Sequence, residues 1–201
     1  MFSNRRQAGK RAAWALPTLC AAIASLALAA FALAADSQHG SQQVSLQRSS
    51  LVASFRQQGI TVDAPFKRFD GSIQFDPARP ADTHATLHVD MSSLDVGDDD
   101  SDAEVRGAAW FDSAHYPQAS FHSALAKSVD AQHFNATGDL SIKGRTRQIT
   151  VNVSVLAADH GYAYDGSFEL SRRDFGIGDP TWDAVLDDHV RVRFHLLAAG
   201  T

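Results

Sequence analysis

The sequence predicts a mainly β chain of about eight antiparallel strands with one helical interruption, closed as a barrel or stacked as a two-sheet sandwich. Three observations carry that reading. Apolar side chains recur at every second position in segment after segment, turn signals separate the segments, and the period changes in one place only, between Ser101 and Phe121. Strict alternation gives each strand a dry face and a wet face, as antiparallel sheets have. No repeat of about 20–50 residues is evident, which sets propellers and solenoids aside. Closure removes the hazard of an open sheet edge, but a sandwich produces the same alternation, so the pattern leaves both architectures open.

The elements follow in order. Leu51, Ala53 and Phe55 share one face of a first strand, Gly59 marks a turn, and Ile60-Thr61-Val62 leads on to Phe66. Phe69, Gly71, Ile73 and Phe75 fall on one parity, with Asp76-Pro77 as the stop. From Ala85 to Met91 the odd positions are apolar, while His84, Thr86, His88 and Asp90 point the other way. Ser101-Asp102-Ala103-Glu104 has the form of a capping box, and helix formers run on to Trp110 and Phe111, so a short helix is expected over about 101–111. Tyr116-Pro117 then extends the chain, because the residue before a proline is steered out of the helical region.

After that interruption, Phe121, Ser123 and Leu125 begin a strand that turns near Asp130. Gly138, Leu140 and Ile142 share a face of the next one, and Lys143-Gly144-Arg145 is a tight hairpin signal. Thr150 to Val155 alternates without a fault, Asp159-His160-Gly161 turns, and Phe168 and Leu170 face one way. A second short helical turn is expected near 181–187, before a last strand, Val190 to Leu196, that is apolar on its even positions.

The first 34 residues read as a signal peptide. Arg5, Arg6, Lys10 and Arg11 precede an Ala/Leu-rich run that ends in Ala32-Leu33-Ala34, a small-residue cleavage pattern. The run is long enough to anchor the chain instead, but the polar stretch that follows favours cleavage. Residues 35–201 then form one domain with a net charge of −9, 14 basic against 23 acidic residues. An acidic export product is a poor candidate for nucleic acid. The single cysteine, Cys20, lies in the leader, so the exported part has no disulfide and relies on a hydrophobic core, for which about 165 residues suffice.

Catalytic and metal motifs are scarce. His84 and His88 share a face but stand roughly 13 Å apart on a strand, and no H-x-H or H-E-x-x-H occurs. Asp98-Asp99-Asp100 with Asp102 lacks the glycine and closing glutamate of a calcium loop and reads better as acids at a helix N-terminus. Asp174-Phe175-Gly176 has no kinase context, and no G-x-S-x-G elbow is present. Lys143, Arg145 and Arg147 alternate around a hairpin, where they either greet an anionic head group or are simply solvated. Arg172-Arg173 before a Gly176-Ile177-Gly178 corner, with Trp182 beyond it, is more specific, since two such glycines imply unusual backbone angles or a close approach.

Two stretches in the right order go beyond pattern. Ala103 to Asp112 with Tyr116-Pro117 and Phe121, and Arg173 to Gly178 with Trp182 and Val190 to Phe194, resemble the corresponding segments of the YceI-like family. Phe66 to Gly71, Phe75-Asp76-Pro77 and Gly138 to Gly144 are similar as well, and the resemblance spans roughly 44–197. It implies an eight-stranded antiparallel lipocalin-like barrel in the periplasm that holds a polyisoprenoid, an isoprenoid quinone, a prenyl phosphate or a similar amphiphile. It supplies no catalytic residues and no cofactor. The partners it implies are the lipid and, in some members, a cytochrome b561-type membrane protein; a homodimer stays open.

On that footing the tail is expected inside and the polar head near the mouth. Phe55, Phe69, Phe75, Leu87 and Val89 are expected to line the barrel from its first half. Leu140, Ile142, Val153, Phe168 and Phe194 line it from the second, and Trp110, Phe111, Phe175 and Trp182 border the entrance.

Overall fold

Alternation along the chain becomes one antiparallel sheet rolled onto itself. The computed structural model describes residues 40–200, so the expected leader and Cys20 lie outside the described residues. The strands are β1 (Gln42–Val44), β2 (Ser50–Gln57), β3 (Ile60–Pro65), β4 (Phe69–Gln74), β5 (His84–Asp90), β6 (Gln118–Ser128), β7 (His133–Ile142), β8 (Arg145–Ala158), β9 (Gly161–Ser171) and β10 (His189–Gly200). β4 to β10 pair in sequence order. β1 then bridges the ends, pairing Gln42 with Ile73 of β4 and with Gly200 of β10, and an eight-stranded barrel results.

The hairpin β2–β3 adds two strands outside that ring. β2 takes over the edge of β10 that β1 leaves, opposite Arg191 to His195. β3 carries the hairpin back toward the 3-10 turn Met91–Ser93, where main-chain bonds from Lys67 N to Ser93 O (3.0 Å) and from Asp95 N to Pro65 O (3.0 Å) fasten it. The seam of the barrel is therefore closed by strand pairing through β1 and, beyond it, by main-chain contacts of the β2–β3 hairpin.

Local chemistry fixes the turns. Between β7 and β8 the central residues Lys143 (φ 48°) and Gly144 (φ 72°) both take positive φ, the combination that matches the twist of a two-residue hairpin. The helix α1 runs Asp99–Val105 and is capped by Asp98, whose carboxylate accepts from Ser101 N at 2.9 Å. It starts two residues before the expected Ser101 because aspartate caps as well as serine and the acids that follow suit the first turn. It also stops short of Trp110 and Phe111. Gly107 donates to Glu104 O at 2.8 Å and begins a run of turns that carries both aromatics. The second expected turn is the 3-10 segment Pro180–Ala184, with Asp179 accepting from Thr181 N and proline at its first position.

Candidate functional site: an apolar cavity

The inward faces of the strands enclose a cavity of about 430 Å³ whose two ends are built differently. At one end, where β1 completes the ring, Phe75 meets Phe134, Tyr162 and Tyr164 edge-on, with ring centroids 5.1, 5.4 and 6.0 Å apart. Phe75, Phe134 and Tyr164 are buried, as are Ile73, Thr83 and Ala126 beside them. This end is closed. At the other, the exposed lining residues Gln57, Asp98 and Glu104 and the half-buried Trp110 and Trp182 border the same space, so this end is the mouth.

Alternation positions the lining. Phe69, Leu87 and Val89 project inward from β4 and β5, Leu140 and Ile142 from β7, Val153 from β8, Phe168 from β9, Phe194 from β10 and Phe55 from β2, and all of them border the cavity with Phe75. Trp110, Phe111 and Trp182 border it at the mouth. Phe175 does not. Its ring is 1% exposed and packs behind the lining residues Met91, Ala119, Ile142 and Ile177, in a cluster that Trp110 and Phe111 also join, because the tight turn Arg172–Phe175 directs it into the core.

The cations of the site are partnered. Arg172, buried at the mouth, donates from Nε to Asp187 O (3.2 Å), from Nη1 to Ile177 O (3.1 Å) and from Nη2 to Leu186 O (3.4 Å) and the Asp183 carboxylate. The expected Gly176-Ile177-Gly178 corner serves this arrangement. Gly176 (φ 66°) and Gly178 (φ 82°) are left-handed, and a Cβ on Gly178 would stand 3.0 Å from Arg172 Nη1 and 3.1 Å from the Trp110 ring. The hairpin cations are spent on carbonyls too. Lys143 Nζ donates to Ala108 O and Gly176 O, both at 2.9 Å, and its burial pulls the ammonium below the ordinary lysine range. Arg147 Nη2 donates to Asp174 O at 3.2 Å.

Sequence reasoning did not place three buried polar residues in the lining: Thr83, Tyr164 and Arg172. Thr83 shares the parity of Leu87 and Val89, and Tyr164 that of Phe168, so extending each strand by a few residues finds both. For Arg172 the sequence marks the arginine pair and the glycine corner but not the burial of the guanidinium, since its partners lie 5 to 15 residues away on a loop without period. No group of three or more His, Cys, Asp or Glu is placed to hold a metal among the described residues.

The YceI-like domain matches residues 42–198, nearly the whole barrel. The chain belongs to the YceI-like family. Among solved structures, BcnA of Burkholderia cenocepacia is similar at TM-score 0.74 and 34% identity, over 76% of this chain and 98% of that one. The polyisoprenoid binding domain from Saccharophagus degradans implicated in plant cell wall breakdown shares the fold at TM-score 0.67 and 15% identity, over 80% of this chain and 98% of that one. Among curated YceI-like relatives, a UPF0312 protein of Azotobacter vinelandii is 30% identical over 118 residues, 56% of this chain and 62% of that protein. Protein YceI of Escherichia coli O6:H1 is 30% identical over 120 residues, 56% and 61% of the two chains. The chain thus spans about three fifths of the length of these curated relatives.

Proposed function

We propose that this YceI-like chain is a binding protein that carries one isoprenoid chain, free or as part of a quinone or alcohol, through the aqueous periplasm, and that it performs no chemistry on it. The observation that carries this is the cavity of about 430 Å³, apolar along its strand faces and bordered by exposed polar residues at the mouth. An isoprenoid tail has no polar groups to satisfy, and each buried CH₂ gains about 0.8 kcal/mol, offset in part by the ordering of a flexible chain. The relation to a polyisoprenoid binding domain supports the ligand class.

The mouth favours an uncharged ligand over a prenyl phosphate. Asp98 and Glu104 border it, hydrogen bonds from Ser101 hold Asp98 below the usual carboxylate range and keep it ionised, and the nearby cations are committed to carbonyls. An anionic head group would meet like charge there. Native mass spectrometry of the purified protein, with organic extraction of what it carries, tests the reading. Expected is one neutral isoprenoid per chain. A barrel that stays empty when offered isoprenoid alcohols and quinones would overturn it.

A further inference from the structure

One buried side-chain polar atom among the described residues has no protein hydrogen-bond partner, the hydroxyl oxygen of Thr83. Thr83 is 6% exposed, borders the cavity, and precedes β5 on the parity of the inward-facing Ala85, Leu87 and Val89. Its hydroxyl oxygen is itself covered, so a turn about χ1 is what brings it to a ligand in the cavity. Leaving a buried hydroxyl unpaired costs about 1–3 kcal/mol, which a hydrogen bond to a ligand would recover. Tyr164, which borders the same closed end, has spare capacity as well. Its phenol makes only a long contact of 3.4 Å to Gln42 Oε1, and burial pushes its pKa up, keeping it protonated and uncharged. The charged residues that border the cavity, Asp98, Glu104 and Arg172, all belong to the mouth.

We infer that Thr83 is a ligand anchor, and that the bound isoprenoid carries a neutral oxygen function, an alcohol or a carbonyl, inward at the closed end of the barrel. This reverses the orientation expected from the sequence, with the head at the mouth. The inference rests on the isoprenoid-carrier reading and adds the polarity and direction of the ligand. A charged head is excluded from this position, because no countercharge faces it and an unpaired ion in an apolar site is far too costly. The apolar tail then runs toward Trp110 and Trp182, whose indoles suit it.

The test compares geranylgeraniol with the hydrocarbon of the same carbon skeleton, each displacing a fluorescent polyene from the wild-type chain, Thr83→Val and Thr83→Ser. Expected is a roughly 3- to 10-fold loss of affinity for the alcohol in Thr83→Val, no change for the hydrocarbon, and retention of the alcohol preference in Thr83→Ser. Valine also removes an unpaired polar group, so this variant should fold at least as well as the wild type. An equal effect on both ligands, or none, overturns the anchor and leaves the carrier reading standing. Failure of the wild-type chain to bind either ligand overturns both.

Discussion

Trp110 and Trp182 meet edge to face across the mouth of the barrel, with ring centroids 5.3 Å apart and planes at 60°. One follows α1 and the other sits in the 3-10 turn before β10, so two segments remote in sequence share one closure. Gly178 lies against the Trp110 ring and donates to Ala109 O at 2.9 Å, which ties the two segments together at the backbone as well.

An aromatic pair of this geometry contributes about 0.5–1.5 kcal/mol beyond its buried area. If the pair gates the cavity, Trp182→Ala speeds release of a bound isoprenoid by roughly 2- to 13-fold, because that energy is lost at the opening step. Transfer of a fluorescent polyene from protein to lipid vesicles in a stopped-flow instrument measures it. A variant that is less stable but releases at the wild-type rate limits the indoles to packing.

Arg172 makes a second, sharper claim. Its side chain is 2% exposed and its charge is balanced by Asp183, whose own side chain is 36% exposed. Removing Arg172 leaves three main-chain carbonyls without this donor, while Asp183 keeps its bonds to Arg173; at about 1–3 kcal/mol for each buried acceptor left unpaired, the loss is about 3–5 kcal/mol. Arg172→Leu is therefore expected to lower the free energy of urea unfolding by that amount. Asp183→Asn should cost clearly less, since water reaches that position and the carbonyl bonds to Arg172 survive. Equal losses in the two variants would count against the carbonyl network as the main contribution.

At the closed end, Phe75 is 3% exposed and touches three aromatic rings. Phe75→Ala is expected to cost about 3–5 kcal/mol, the transfer of the ring plus the void it leaves. Because Phe75 borders the cavity, that void is continuous with the ligand space. An isoprenoid alcohol one unit longer than the wild-type optimum should then recover part of the loss. Unfolding in urea with and without a series of chain lengths distinguishes this from a void sealed off from the ligand.

How much of this was legible in the sequence depends on the range of each signal. Alternation is local and strong, so Phe69, Leu87, Leu140, Val153 and Phe194 were placed on the inner face before any pairing was known. Barrel closure was not legible from alternation. It depends on Gln42-Gln43-Val44, three residues with no period, and only the family resemblance pointed to it. The helix was found but displaced, because Asp98 and Ser101 are both sound caps and Gly107 was passed over as a stop. Phe175 stands behind the lining in which it was expected, for a different reason. The direction of a side chain on a one-turn 3-10 segment follows no simple period, so an aromatic near the entrance in sequence ended in the core.

Acid should unfold the barrel in a definite window. Hydrogen bonds from Ser92, then from Arg68, outweigh partial burial and hold Asp90 below the usual carboxylate range. At Asp188 burial acts first and pushes upward, but the Ser171 hydroxyl, the Arg173 N–H and the Arg173 charge prevail and the net shift is again down. A carboxylate depressed in the folded state contributes stability above its unfolded pKa, near 3.9, and loses it as pH falls through the folded value. His115 has the opposite sign. Asp112 raises it, so its contribution is present below about pH 6.5 and fades as pH climbs through the folded pKa. Stability is thus expected to be highest between about pH 4 and 6.5, to fall steeply below and only slightly above, since His115 is exposed to water. Urea midpoints from pH 3 to 8.5 measure the profile, and Asp90→Asn, which can still accept from Ser92, should flatten its acid limb without moving the alkaline one.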